Sequence, residues 1–426
     1  MKSFRSQYKE DIKNGLILNT LEINFPGGGY QTITEDNIVS ESMVLKQSIC
    51  DEEQLRFGGC ISSEFKIQLI NTQSRSFGND LVGKWISVKL TQTFSSGFLY
   101  PQSTLYPSSS LYPGEVIRNH TWNIFSGFID SAKMDQSDNN IRNIVAYDSL
   151  AKLNETDGTN KLFSLWKSFP NGCRLKNLLI HCLQHNNKVV IPYDFGTRLS
   201  EIIYLPNNEK VEDYRTMNKS WMDNHDKISY GEIIRNVCEM LGVFGFIRAD
   251  SAYGEFNFIY TQGTETYDSY EQFYAEEFKT KGYSGVQLMI GNDSDRTSKI
   301  MTIPSTYIDD DGNYYDLTDN IICWQEREST GLYHPFNDLY NGEKTTDRQL
   351  ATGYIYTPVT ATLDCRLWVE PGDKIIIKRP KTNIYGEYLY DTNGNVITES
   401  IESFVFSRTI TGIKALTDQI EAKGVQ

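Results

Sequence analysis

The chain carries 426 residues, 39% of them hydrophobic and 23% charged, with a net charge of −14; this is a globular composition with room for roughly two to four domains. The acidic balance argues against a reader of nucleic-acid sequence, since affinity for phosphates is carried by clustered Lys and Arg, without excluding a protein that DNA slides past. No run nears the ~18 apolar residues of a membrane span, and the charged start MKSFRSQYKEDIKNG lacks the apolar core of a secretory signal, so synthesis in a cytoplasm is expected.

From the N-terminus to about residue 150 the chain reads mostly as β. FKIQLI puts Phe65, Ile67 and Leu69 on one face, and GKWISVKL does the same with Ile86, Val88 and Leu90. TWNIFSGFI (121–129) and IRNIVAYD (141–148) supply two more strands around the polar turn MDQSDNN. Between these pairs a loop is expected over 94–120. It contains LYPQSTLYPSSSLYPGEV, three LYP triplets whose Tyr100, Tyr106 and Tyr112 recur every six residues. Proline and serine keep such a stretch out of a sheet, leaving either a solvated excursion or a docking loop for a neighbouring subunit.

The middle of the chain turns helical. RLKNLLIHCLQH (174–185) places Leu175, Leu178, Leu179, Cys182 and Leu183 on one face. In SYGEIIRNVCEMLG (229–242), Ser229 and Glu232 form a capping box, and Ile233, Ile234, Val237, Cys238 and Leu241 form the apolar stripe that Gly242 can end. A hairpin follows, VFGFIRAD then SAYG then GEFNFIY. From about residue 275 strands return in GVQLMIG, NIICWQ, GDKIIIK, GEYLYDTNGNVITESI and a final pair in SFVFSRTITGIKALTDQIEAKG, with Asn393-Gly394 as a tight hairpin turn. An internal echo links the two ends. GKWISVK from Gly83 and GDKIIIK from Gly372 share Gly, an Ile three on, an aliphatic residue five on and a Lys six on, and FSGFI (125–129) agrees with FSRTI (406–410) at three of five positions.

Signals for chemistry are sparse. The seven cysteines form no C-x-x-C pair, and nine residues separate Cys50 from Cys60, too many for a zinc half-site. Burial as small apolar side chains is the expectation, with a disulfide or a metal clip as alternatives. His181 and His185 lie one helical turn apart, but Cys182 stands where a metalloprotease needs its Glu base. IDDDGNYYDLTDN (308–320) has calcium-loop composition without calcium-loop spacing. Glu276, Glu277 and Asp364 could supply a glycosidase pair only at a separation that sequence does not fix. No nucleophile elbow, P-loop or dinucleotide fingerprint stands in its required setting. No catalytic residue, cofactor or metal is assigned, and an enzyme is not expected.

The segment ESMVLKQSICDEEQLRFGGCISSEFKIQLI (41–70) resembles the N-terminal signature of tail hub proteins from phages and prophages of low-GC Gram-positive bacteria, E-S-x-x-L-x-x-S-I/L-C running into E/Q-L-x-F-G-x-C. Glu41, Ser42, Leu45, Ser48, Ile49 and Cys50 match the first part, and Gln54, Leu55, Phe57, Gly58 and Cys60 the second. FSGFIDSAK…IRNIVAYDSLAKLN is similar to the family's strand, turn and helix entry through Ala146, Tyr147, Asp148 and Leu150. YGEIIRNVCEMLGVFGFIRADSAYGEFNF (230–258) resembles its helix plus hairpin. The likeness is strongest over 38–153, moderate over 229–260 and weak beyond 270, and its motifs are structural.

The resemblance implies a mainly β fold with α+β parts, in which two similar β-barrel hub domains flank a central α/β region: 1–153, 154–270 and 271–426. It implies a homotrimer whose six barrels meet hexameric tail rings at the tip or baseplate of a virion tail. Tail-tube or distal-tail proteins would lie on one side and receptor-binding, fibre or lytic parts on the other, with genome DNA passing through unbound. Related chains often continue into a peptidoglycan hydrolase or fibre segment; this one ends near the second barrel, so a separate chain is expected to do that work. Two rivals come from other classes. A carbohydrate-binding module is suggested by 26 tyrosines and 6 tryptophans, whose faces stack on sugars, and a peptidoglycan hydrolase is the weaker one.

Overall fold

Strict alternation sets the best strands. In β3 (Glu64–Ile70) Phe65, Ile67 and Leu69 are buried while the residues between them are half-buried, the pattern of a sheet with one face on a core. The computed structural model describes residues 8, 11, 16–50, 59–96, 116–158, 180, 182–183, 228–240, 244–259, 264–267, 270–275, 285–292, 295–302, 314–316 and 359–422. The chain opens with β1 (Leu16–Asn24) and β2 (Val44–Ser48), then β3, β4 (Trp85–Ser96), β5 (Val116–Met134) and β6 (Ile141–Tyr147). Helices α1 (Ser149–Glu155) and α2 (Tyr230–Met240) precede the hairpin β7 (Phe244–Arg248) and β8 (Glu255–Ile259). There follow β9 (Thr264–Tyr267), β10 (Tyr270–Ala275), β11 (Gly285–Asn292), β12 (Asp295–Thr302) and β13 (Tyr314–Asp316). The last group is β14 (Val359–Asp364), β15 (Lys374–Pro380), β16 (Thr398–Phe404), β17 (Ser407–Thr411) and β18 (Thr417–Ala422).

The expected helix stripe is in place. Ser229 Oγ accepts the Glu232 N–H at 3.0 Å, and Ile233, Ile234, Val237 and Cys238 are fully buried. Ile180, Cys182 and Leu183 are helical, and Cys182 and Leu183 are buried. Leu175, Leu178, Leu179, Leu241 and Gly242, and the strand NIICWQ, lie outside the described residues. Strands occupy both ends of the loop expected over 94–120. β4 runs on to Ser96 and β5 begins at Val116, because Phe94 turns into the core while Thr91 meets Thr121 and Thr93 meets Asn119 on the exposed face. Alternation thus persists through residues whose polarity suggested a loop.

The molecule is mainly β, and among the described residues its largest sheet has ten strands in the order β1-β4-β5-β6-β3-β2-β17-β18-β14-β10. The two expected barrels are not closed among the described residues. β2 bonds β3 of its own unit on one edge and β17, some 360 residues later, on the other, so the units share one open sheet.

Those units are copies of one plan. Leu81–Lys84 and Glu370–Asp373 are the same type II turn, with Val82 (φ −61°, ψ 133°) or Pro371 second and a glycine third, at φ 79° for Gly83 and 89° for Gly372. Lys84 N–H donates to Leu81 O at 3.0 Å, and Asp373 N–H to Glu370 O at 3.1 Å. The glycine then donates to Ile129 O (2.7 Å) or Val405 O (2.6 Å), and Ile129 and Val405 donate back to Lys84 and Asp373. β3, β4, β5 and β6 therefore correspond to β14, β15, β16 plus β17, and β18. Ile67 pairs with Ile144 as Ala361 pairs with Ile420. The second half of the sequence echo is corrected by these bonds. Val405, one residue before FSRTI, takes the place of Ile129, so the FSGFI and FSRTI letters agree out of register.

Candidate assembly surfaces

Several of the described signature residues sit where the two units and the helical part meet. Glu41, in the left-handed region at φ 58°, reaches across to the β17–β18 turn and accepts the N–H groups of Ile413 and Lys414, both at 2.9 Å. Desolvation raises this carboxyl, but those backbone donors, with Ala415's and the Lys414 charge, outweigh it and hold it below its ordinary value. Ser42 Oγ donates to Val39 O and accepts Gln68 N–H, and Leu45 is buried opposite Ile410. Near the same join Tyr8 sets its ring edge-on to Trp368 of the second unit, centroids 5.3 Å apart.

Cys50 and Cys60 are both buried, as expected, and neither is in a disulfide. Cys60 instead faces Cys238 of α2, Sγ to Sγ 3.7 Å, and burial pushes the Cys238 thiol well above its ordinary value. Leu55, Phe57 and Gly58, like Tyr100, Tyr106 and Tyr112, lie outside the described residues. Tyr147 donates its hydroxyl to Glu64 Oε2 at 3.2 Å. Asp148 caps α1: it is buried and accepts Leu150 N–H (2.9 Å), Ser63 N–H (2.7 Å) and Ser62 Oγ–H (2.9 Å). Burial raises its carboxyl to about 6, against the lowering pull of those donors. The roles of Glu41, Cys60 and Asp148 are thus stitching roles between segments.

Among the described residues no cluster of three or more His, Cys, Asp or Glu side chains could hold a metal, and no helix is long and apolar enough to cross a membrane. His181, His185, Glu276 and Glu277 lie outside the described residues. Asp364 is exposed at the end of β14. From the Asp-rich run only Tyr314–Asp316 is described, as strand β13 parallel to β11.

A surface that sequence reading missed lies between β15 and β16. Residues 381–397 fold into two successive tight turns, one closed by Asn383 and one by Asp391. Asn383 Oδ1 accepts Tyr385 and Glu387 N–H, and Asp391 Oδ1 accepts Asn393 and Asn395 N–H. Asn393-Gly394 does turn the chain, with Gly394 at φ 80°. The arm exposes Ile384 (90%), Tyr385 (80%), Tyr388, Tyr390, Val396 and Ile397 to solvent, an apolar density that marks interaction surfaces. By the repeat it stands where the LYP segment stands in the first unit, after the strand that follows the glycine turn.

No protein-family model and no curated protein matches the sequence. Among solved structures the chain is similar to the 43 kDa tail protein of prophage MuSo2 from Shewanella oneidensis, at 11% identity and TM-score 0.45 over 95% of this chain and 98% of that one. It is also similar to the Francisella PdpA–VgrG complex, at 10% identity and TM-score 0.41 over 99% of this chain and 62% of that one. A third is the E. coli c3393 protein, a type VI secretion component described as structurally similar to T4 tail proteins gp27 and gp5, at 8% identity and TM-score 0.38 over 95% and 77%. TM-scores below 0.5 establish no common fold by themselves; the solved structures that the chain resembles include phage tail and baseplate proteins, a VgrG complex and a type VI secretion component.

Proposed function

We propose that this chain is a structural virion protein, the trimeric hub of a phage tail tip or baseplate. The observation that carries this reading is the duplicated β unit, built twice around the same glycine turn and joined edge to edge through β2 and β17. Two like units per chain turn three subunits into six near-equivalent positions, which is what a three-fold part needs in order to meet a six-fold tube. The strand group then works as a rim, with the arm 381–397 and the LYP segment as tyrosine-rich contacts to the adjoining tail ring. The region 154–270 faces distal receptor-binding or penetration parts. Mechanism here is geometry: the ring surrounds the path of DNA, and an acidic or neutral lumen lets a polyanion pass without the phosphate contacts that would hold it.

Class averages of the purified chain by electron microscopy, with its solution mass, test this. Three-fold rings of about three times 48.8 kDa with an open centre are expected. A dense basic lining of the lumen would overturn the DNA-passage role. A monomer at micromolar concentration would move a second reading ahead, that of a carbohydrate-binding module. The exposed Tyr385, Tyr388 and Tyr390 favour it, since such rings stack on sugar faces, and binding of the isolated chain to host wall glycans would support it.

A further inference from the structure

The repeat assigns corresponding partners to the strands at the join of the two units, and one assignment is not filled among the described residues. In the second unit, β17 takes β18 on one side and β2 on the other, with Leu45 opposite Ile410 and Val44 opposite Thr411. The place of β17 in the first unit belongs to the C-terminal half of β5. Ser131 pairs with Val145 as Ser407 pairs with Glu421, and Met134 pairs with Arg142 as Ile410 pairs with Asp418. Even the turn beyond agrees: Asp135 N–H donates to Ile141 O at 3.0 Å where Thr411 pairs with Thr417. Yet among the described residues Ser131–Met134 pair with β6 alone, and the opposite edge carries no strand.

The place of β2 in the second unit belongs to β10. β2 lies antiparallel to β3 with Val44 opposite Lys66 and Leu45 opposite Phe65. β10 lies antiparallel to β14 with Tyr274 opposite Thr360 and Ala275 opposite Val359. β10 ends the ten-stranded sheet, and among the described residues its other edge is unpaired. One seam of this kind is made inside the chain, and the two halves of a second lie apart.

We infer that β10 of one copy pairs antiparallel with the outer edge of residues 131–135 of a second copy, in the register of the internal seam, setting Ala275 opposite Met134 and Tyr274 opposite Asp135. A separate observation points the same way. Met134 is 46% exposed, whereas Ile410, its counterpart in the made seam, is 2% exposed beneath β2. An apolar side chain on an open strand edge is a template for pairing. The contact joins different surfaces of identical chains, so repetition closes a ring in which internal and intersubunit seams alternate. This inference rests on the hub reading and names the interface that builds the ring.

The test is the pair Met134→Cys and Ala275→Cys in one full-length chain, treated with a short bismaleimide and run under denaturing conditions beside each single variant. Covalent dimers and trimers from the double variant alone are expected. Met134→Asp should raise the concentration for half-assembly at least about tenfold by burying an unpaired carboxylate, with the thermal midpoint at assembly-free dilution unchanged. A particle of trimer mass that gives no intermolecular cross-link, or that tolerates Met134→Asp, overturns the seam and leaves the hub reading standing. A cross-link confined to single chains also overturns it. A wild-type chain that stays monomeric at tens of micromolar overturns both.

Discussion

The two β units share a strand plan and differ in what fills it. At the place of Ala132 in the first unit the second has Arg408, and at the place of Arg142 it has Asp418. Arg408 and Asp418 are 2% and 0% exposed and form an ion pair, with Arg408 also donating to Val369 O and Arg366 O. The second unit adds Arg366 to Glu265 at 2.7 Å and Trp368 Nε1 to the same carboxylate at 3.0 Å. The first unit instead stacks Phe65 on Phe125. Topology in such repeats is therefore held by backbone turns and edges, while the core chemistry is free to diverge.

Removing one ion-pair partner breaks this comparison hardest. Asp418→Ala leaves a guanidinium buried without a counter-charge and should cost about 3–5 kcal/mol. Arg142→Ala, at the corresponding place, loses a 3.0 Å hydrogen bond to Phe77 O and should cost about 1 kcal/mol. Denaturant unfolding of both variants checks the ratio, and equal losses would mean that the two cores are not built differently. Next comes Gly127, whose counterpart is Ser403. A Cβ at Gly127 would stand 2.2 Å from Tyr147 O, a backbone atom with no room to yield. Gly127→Ala should therefore cost about 3 kcal/mol, while Ser403→Ala stays near 1.

The glycine turns sharpen the likeness. Gly83→Ala and Gly372→Ala force an L side chain into left-handed backbone, for about 1–2 kcal/mol each. Nothing lies within 4 Å of a Cβ at Gly83, so there the loss is backbone strain alone. Unequal losses measured by the same unfolding assay would say that the turns are alike in shape and unlike in burden. The smallest effect is one of pH. Asp148 is raised from 3.8 to about 6 in the fold, so its protonated form favours the folded state. That contribution is full below the ordinary carboxylate value and is lost as pH rises through 6. Between pH 7 and pH 5 the wild type should gain roughly 1 kcal/mol that Asp148→Asn does not. A thermal melt series in which both behave alike removes the proton from Asp148.

Much of this was legible in the sequence, because strands declare themselves by local alternation and the Gly83 and Gly372 turns by spacing. Partner choice was not. Nothing local in VLKQS says that its second edge belongs to SRTIT, and Glu41 gives no sign that its carboxylate caps a turn more than 370 residues away. The Cys60–Cys238 contact is hidden in the same way. The exposed arm was legible only in part. GEYLYDTNGNVITESI does run as extended backbone around the Gly394 turn and into β16, with Leu389 N–H donating to Lys381 O (2.9 Å) and Ile397 N–H to Leu389 O (2.8 Å), but alternation gives no sign that its apolar side chains face solvent.

The β2–β17 pairing also sets a clock on biosynthesis. At ~5–20 residues per second the ribosome needs roughly 20–70 s to deliver β17 after β2 has emerged. During that interval the edge that will hold Leu45 against Ile410 is a vacant slot. On a polysome, the first β17 to arrive can belong to a different nascent chain, and the same register would then yield exchanged subunits with native contacts. Slow, dilute expression should favour self-pairing.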